Sequence, residues 1–358
     1  MKNEALMYGK MACDTMMRRF AAPDLPPKSG FHYHAGVFLS GMMNIYSVCR
    51  EQKYFNYIKK WVDSIVKEDG VIEYHSKGAL DDYMAGILLF PLYEKTGDRK
   101  YIDALNVLLP NLRNWRRNDY GGFWHMEWRP FQMWLDGLYM AGPLMAAYGE
   151  KQKKAVYINI AVKQALLMYE HMQDKETKLL YHAWDSSKNM PWADNKTGLS
   201  PEFWGRALGW YVVALLDIME HMNPESDEYK KLGEIENEVL TAIFSYQDKD
   251  KKLWYQVVDK GHIEGNWFEA SCSCLYIYAA FKAARMKVMN DDLLEKASDG
   301  FHAVIDRFAQ IDGNDLLVSG VCVGTGVMDL KGYFDRPRVT GDLHGMGAFL
   351  LMCAEIAR

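Results

Sequence analysis

No apolar stretch of about 18 residues runs unbroken through the 358-residue chain, so the sequence offers no membrane-spanning helix. It has no basic run and no heptad repeat. With 42 Lys and Arg against 47 Asp and Glu, the net charge of −5 argues against nucleic acid or an anionic membrane surface as partner. The six cysteines (Cys13, Cys49, Cys272, Cys274, Cys322 and Cys353) lack paired metal-ligand spacing, and the C-x-C at 272–274 is too tight for the usual zinc pair. Scattered through apolar segments, they read as small buried hydrophobes kept reduced. There is no H-E-x-x-H or H-x-x-x-H, so no metal is expected, and no G-x-S-x-G elbow for a serine nucleophile. No cofactor signature stands out. The opening MKNEALMYGKMACDTMMRRF interleaves charged and apolar positions and holds no signal-peptide core, which with the cysteine usage points to the cytoplasm. No Pro/Gly/Ser-rich linker divides the chain, so one domain is expected over residues 1–358.

What is present is an alternation of two kinds of helical segment. Residues 4–20, 54–66, 101–114, 157–172, 229–247 and 293–308 carry apolar side chains at spacings of three and four, with charges opposite. Residues 32–46, 81–94, 134–150, 203–217, 268–280 and 342–355 are apolar almost all round behind a polar head. A helix apolar on every side is a buried helix. Six of them cannot all be central in a simple bundle, but they can form an inner ring with the amphipathic six outside. The pattern therefore predicts an all-α fold, an (α/α)6 barrel built from degenerate helical hairpins.

If the inner helices run parallel, their heads share one rim: His32 and His34, Asp81 and Asp82, Asp136, Arg206, Glu269, Asp342 and His344. Helix N-termini there would present unpaired N–H groups that favour anions. Aromatic-rich loops 67–80, 118–132, 181–203 and 332–341 run over the same rim with Trp124, Trp128, Trp184, Trp192 and Tyr333, and Trp204 and Trp210 follow them. Flat aromatic faces beside carboxylates, His and Arg suit a sugar ring. About half of these tryptophans are as well explained by packing.

Asp136 is the only charge between Met133 and Tyr148. It is either the N-cap of its helix or a carboxyl at the mouth of a pocket, where Trp128, Phe131 and Trp134 would raise its pKa by desolvation and Asp81 by its charge. Asp81 faces the same choice, with Asp82 as the alternative cap. Arg206, the only charge between Phe203 and Leu216, is either a buried partner of a rim acid or a bidentate clamp on a substrate carboxylate. His125 and His182 lie in the rim loops beside Trp124 and Trp184.

The stretches HYHAGVFLSGM, LDDYMAGILLFPLYEKTGD, GGFWHMEWRPFQMWLDGLYMAGP, FWGRALGWYVVAL and DLHGMGAFLLMCAE, from residue 32 to 355, resemble the unsaturated rhamnogalacturonyl hydrolases of glycoside hydrolase family 105. A more distant similarity runs to the unsaturated glucuronyl hydrolases of family 88. The resemblance implies an (α/α)6 barrel and a small anionic substrate, a lyase product with a 4,5-unsaturated galacturonyl residue linked to rhamnose. It also implies hydration of the enol ether in place of attack at the anomeric carbon. Asp136 matches the acid that protonates C4 and then activates water for C5, and Asp81 matches its partner acid. His125, His182, Trp204, Arg206 and Trp210 match substrate-binding positions, as does Tyr33 more weakly. Two positions depart from the pattern: Ala207 stands where a glycine follows the arginine, and Met126 where a basic residue follows the loop histidine. A cation lost near the mouth bears on the second sugar and leaves the proton chemistry intact. Alternatives are the same chemistry on unsaturated glucuronyl fragments, a sugar isomerase or epimerase using paired histidines, and a silent carbohydrate-binding protein. Monomer and homodimer are both compatible with the sequence.

Overall fold

The computed structural model describes residues 1–27, 30–73, 75–76, 78–289 and 291–358. The chain runs α1 (Lys2–Arg19), α2 (Tyr33–Cys49), α3 (Gln52–Asp63), α4 (Leu89–Thr96), α5 (Arg99–Arg113), α6 (Gly137–Lys151) and α7 (Ala155–Met172). It continues through α8 (Gly205–Met219), α9 (Asp227–Ser245), α10 (Ala270–Arg285), α11 (Leu294–Phe308), the short α12 (Leu330–Phe334) and α13 (Leu343–Ala357). A ring closes among α2, the 3-10 turn ahead of α4, α6, α8, α10 and α13, each packed on the next and α13 back on α2. Outside it, α1 leans on α2 and α13, α3 on α2, α5 on α4 and α6, α7 on α6 and α8, α9 on α8 and α10, and α11 on α10. This is the (α/α)6 barrel expected from the alternation of helix types.

The chemistry of each helix fixes its layer. In α8 all but one residue, Asp217, are buried, and in α13 all but the last, Ala357. The outer α3 buries Tyr54, Phe55, Tyr57, Ile58, Trp61 and Val62 along one stripe and turns Lys59, Lys60 and Asp63 outward. Each such side chain contributes roughly 1.5–3 kcal/mol of burial, so Trp61→Ala would open a cavity under that stripe. The second glycine of HGMG lets inner helices touch: a Cβ at Gly347 would stand 2.8 Å from the Phe38 backbone nitrogen and 2.5 Å from Val37 Cγ1.

One inner helix departs from expectation. Residues 80–82 and 84–88 are 3-10 turns, and α-helix begins only at Leu89. Asp82 takes the backbone N–H groups of Ala79 (3.0 Å) and Gly78 (3.2 Å), which holds the chain in a turn. Pro91 has no N–H to give Ile87, so regular α hydrogen bonding cannot extend back across it. Three two-stranded antiparallel ribbons were also not foreseen: β1 (Gln132–Trp134) with β2 (Ala183–Asp185), β3 (Ala309–Asp312) with β4 (Asp315–Val318), and β5 (Val321–Cys322) with β6 (Arg338–Val339). The six cysteines are unpaired. Among the described residues no helix is long and apolar enough to cross a membrane.

Candidate active site

Four backbone hydrogen bonds assemble the centre of the rim. The N–H of Leu80 donates to the carbonyl of His125 (3.0 Å), that of His125 to Gln132 (2.8 Å), and that of Leu135 to His182 (2.9 Å). His182 in turn donates to Glu202 (3.2 Å). The β1–β2 register, with Trp134 opposite Ala183, fixes the same alignment. Residues 81, 125, 136 and 182, far apart in sequence, are thereby adjacent. Just before β1, Phe131 takes a positive φ of 67°, a strained conformation for a bulky side chain that reverses the chain into the ribbon.

A cavity of about 330 Å³ opens here, lined by Asp81, Asp136, Tyr33, His125, Trp204, Arg206 and Trp210, with His32, His34, Met126, Arg129, Trp134, Met140 and residues 324–326. His182 stands behind it, its Nε2 3.3 Å from Asp136 Oδ2. All eight residues singled out from the sequence thus belong to one place. A wider groove of about 580 Å³ between α7 and the turn after α8 holds none of them.

Asp136 is not a cap. It sits at the head of α6 with φ −56° and ψ −32°, and its side chain accepts no N–H from the helix. Its Oδ2 is buried without a hydrogen-bond partner, as is His182 Nε2, so the contact between them is one of charge and dipole rather than an aligned hydrogen bond. Asp81 is not a cap either, because Asp82 holds the turn; its Oδ1 lies 3.5 Å from His125 Nε2. By contrast Glu269 caps α10 through Cys272 N–H (2.7 Å), and Asp342 caps α13 through His344 N–H (2.9 Å). Two rim carboxyls close helices, and two face the cavity.

The protonation balance corrects the sequence expectation for Asp136. Burial pushes its carboxyl up, but the His182 contact and the neighbouring His182 and His125 outweigh it, and it sits below the ordinary aspartate range. The raised group is Asp81, lifted to about 8 by burial, then by the charge of Asp136, then by Asp82. His125 is held neutral: burial lowers it to about 4 against the pull of Asp136. Its ring stacks on Trp134 at 4.7 Å.

Arg206 also departs from both readings drawn from the sequence. Its two terminal nitrogens donate to the carbonyls of Cys322 (2.5 Å) and Val323 (2.9 Å), and its guanidinium lies 4.7 Å over the Trp204 ring. The planar fork grips the protein's own backbone. Glu269 takes the N–H of Cys322 at 2.9 Å. Together they pin segment 321–326 as one wall of the cavity. That wall escaped the sequence reading, because VCVGTG carries no charged residue and lies outside the rim loops. Of the helix heads expected at the rim, His32 and His34 line the cavity, and His344 stands behind them with its ring 4.0 Å from that of His34. Tyr333 accounts for the other face of His182, its hydroxyl 2.6 Å from Nδ1. Trp184 is packing: it stacks on His171 at 4.2 Å and does not line the cavity. Among the described residues no group of three or more His, Cys, Asp or Glu is placed to hold a metal ion.

Comparison with known proteins gives the family of the chain. The family model "Glycosyl Hydrolase Family 88" matches residues 8–358. A curated relative, the unsaturated rhamnogalacturonyl hydrolase YesR of Bacillus subtilis, is 27% identical over 332 residues, covering 90% of this chain and 88% of its own. A solved glycoside hydrolase of family 105 from C. acetobutylicum superposes with a TM-score of 0.93 at 32% identity, over 98% of this chain and 99% of the other. The unsaturated glucuronyl hydrolase of Bacillus sp. GL1, at 13% identity and a TM-score of 0.75 over 100% and 97% of the two chains, shares the fold. The chain belongs to glycosyl hydrolase family 88, shares family 105 with the Clostridium enzyme, and is a glycoside hydrolase.

Proposed function

We propose that this enzyme hydrates the C4=C5 enol ether of a 4,5-unsaturated galacturonyl residue linked to rhamnose. The observation that carries the reading is the carboxyl pair: Asp136, uncapped and with a free buried oxygen, in one cavity with Asp81, which keeps a proton to about pH 8. Such a pair holds one proton at neutral pH, which acid catalysis on an electron-rich alkene needs. In the free enzyme that proton rests on Asp81. The substrate carboxylate brings a second negative charge beside the pair, which raises the proton affinity of both, so that Asp136 takes up a proton of its own from solvent.

Asp136 then gives its proton to C4. The ring oxygen stabilises the positive charge left at C5, and water adds there while Asp136, now ionised, takes the water's proton. The C5 hemiketal opens, the ring oxygen becomes the hydroxyl of a C1 hemiacetal, and collapse of that centre releases the neighbouring sugar as its alcohol. Trp204, Trp210 and Trp134 give the flat apolar walls that a sugar face fits, and His125 and His182 set the polar edge. The relative named for unsaturated rhamnogalacturonan, alignable over nine-tenths of this chain, supports this substrate over others.

A second allocation of roles is favoured by the protonation of Asp81: it gives the proton to C4 directly, and Asp136, already ionised, activates water. The test is a panel of lyase-generated oligosaccharides followed by the ultraviolet absorbance of the conjugated double bond. Loss of absorbance with rhamnogalacturonan products and not with glycosaminoglycan products is expected. An enzyme inert on the whole panel, or Asp136→Asn turning over near the wild-type rate, ends the proposal. Asp81→Asn separates the allocations, because it stays measurably active only under the first.

A further inference from the structure

Asp342 and His344 head α13 and take no part in the chemistry above, yet their side chains form a chain that ends in the cavity. Asp342 Oδ1 meets His344 Nδ1, and His344 Nε2 meets the hydroxyl of Tyr33, which lines the cavity. His344 is fully buried. Its partners fix the direction of every hydrogen bond. A carboxylate can only accept, so Nδ1 carries the imidazole proton. Burial, and then the positive charge of Arg206, keep His344 neutral against the pull of Asp342 and Glu269. The ring of His34, 4.0 Å from that of His344, is neutral as well, since burial and its histidine neighbours bring it down to about 2. Nε2 is therefore a lone pair, and the Tyr33 O–H must point at it. What remains of Tyr33 Oη is acceptor capacity, and Tyr33 lines the cavity across from Gly324, whose missing side chain leaves room beside the hydroxyl.

We propose that Asp342 and His344 are positioning residues that lock the Tyr33 oxygen as a fixed hydrogen-bond acceptor for an O–H in the cavity, that of the attacking water or of a hydroxyl on the unsaturated sugar. The proposal rests on the reading that this cavity binds the substrate. The logic is that of a carboxylate selecting the tautomer of a histidine, which then holds a third group.

Asp342→Asn is the informative substitution. Asp342 Oδ1 receives both the backbone N–H and the Nδ1 of His344, so an Asn there either keeps its oxygen in place, capping α13 but without the charge that holds the Nδ1 proton, or turns its N–H to Nδ1 at the expense of the cap; the hold on the tautomer is weakened or reversed either way. Tyr33→Phe removes the acceptor. Each variant is expected to lose roughly tenfold or more in kcat/KM, the scale of one hydrogen bond in a closed site. The double variant should be no worse than Tyr33→Phe alone, because both act through one oxygen. A loss confined to kcat assigns the water and a loss confined to KM assigns the sugar hydroxyl; either supports the relay. Multiplying losses, or an Asp342→Asn enzyme with unchanged kinetics, overturn it. Nuclear magnetic resonance of 15N-histidine-labelled protein reads the relay without substrate. His344 should be the neutral Nδ1–H form in the wild type and change form in Asp342→Asn; an Nε2–H form in the wild type sinks the proposal even if the enzyme is active. An enzyme inert on every lyase product but with the Nδ1–H form intact would instead fault the catalytic reading.

Discussion

Asp81→Asn should make this enzyme more stable at alkaline pH while damaging its activity. The carboxyl is lifted to about 8 from a reference near 3.8, and its side chain is only 14% exposed, so little solvent screening reduces the effect. Between those two values the folded protein holds a proton that the unfolded chain has released, so stability falls as pH rises through that window. At about 1.36 kcal/mol per unit, the penalty is about 2 kcal/mol at pH 5 and about 5 kcal/mol by pH 8.5. Asn resembles the protonated acid, escapes the penalty, and can still accept from His125. The variant's advantage over wild type should therefore grow by about 4 kcal/mol from pH 5 to pH 8.5. For a chain of this length that is about 5 °C in melting temperature. Thermal or urea unfolding of both proteins at the two pH values measures it. A difference that is flat with pH would mean that Asp81 ionises normally, and the stored proton would have to be abandoned.

Other expectations follow from the same geometry. Asp136→Asn should cut kcat by about 10³-fold or more with KM within a few fold, since it removes proton transfer and leaves the walls; initial rates and equilibrium binding check this. Wild-type kcat/KM should decline above about pH 8 as Asp81 loses its proton, and a profile level to pH 9.5 would contradict the pairing. Arg206→Ala strands the buried carbonyl of Cys322 and the part-buried one of Val323 and should cost about 2–4 kcal/mol in unfolding free energy, with a rise in KM as the 321–326 wall loosens. Arg206→Lys should not restore it, because one ammonium cannot span both acceptors in the plane of the fork. Gly347→Ala should cost about 2 kcal/mol by forcing α13 off the α2 backbone, seen as a lowered melting temperature.

The barrel was legible because hydrophobicity alone separates its layers. A helix such as 203–217 has no polar face to show solvent, whereas 54–66 has one, and the alternation needs no tertiary information. The rim was legible for a related reason: a charge such as Asp136 or Arg206 in an otherwise apolar helix must be compensated, which narrows its place to the helix end. What each charge does there was not legible. Whether Asp136 caps α6 depends on where its oxygens point, and its low pKa depends on His182, 46 residues away and brought close by the β1–β2 ribbon. Three-residue strands carry too little alternation to show in sequence. Arg206 looked like a clamp because its carbonyl partners belong to backbone, which has no signature.

The reassignment of Arg206 changes how the site must recognise an anion. With its fork committed to Cys322 and Val323, and with Glu269 taking the Cys322 N–H, two buried side chains of opposite sign, one in α8 and one at the head of α10, act as clasps on a loop. A barrel of parallel inner helices leaves a gap between hairpins at its rim, and a loop laid across it without clasps would leave backbone groups unsatisfied. The charges meet that demand and, in doing so, bring Gly324, Thr325 and Gly326 to the cavity that Asp136 also lines. Arg129, which lines the cavity from the 118–132 loop only three residues after the departing Met126, is then a cation whose fork is not tied to that loop. If it meets the substrate carboxylate, Arg129→Ala should raise KM at least tenfold with kcat nearly unchanged, and salt should weaken wild-type binding more than it weakens the variant's. Equal KM values for the two proteins would return the carboxylate to Arg206.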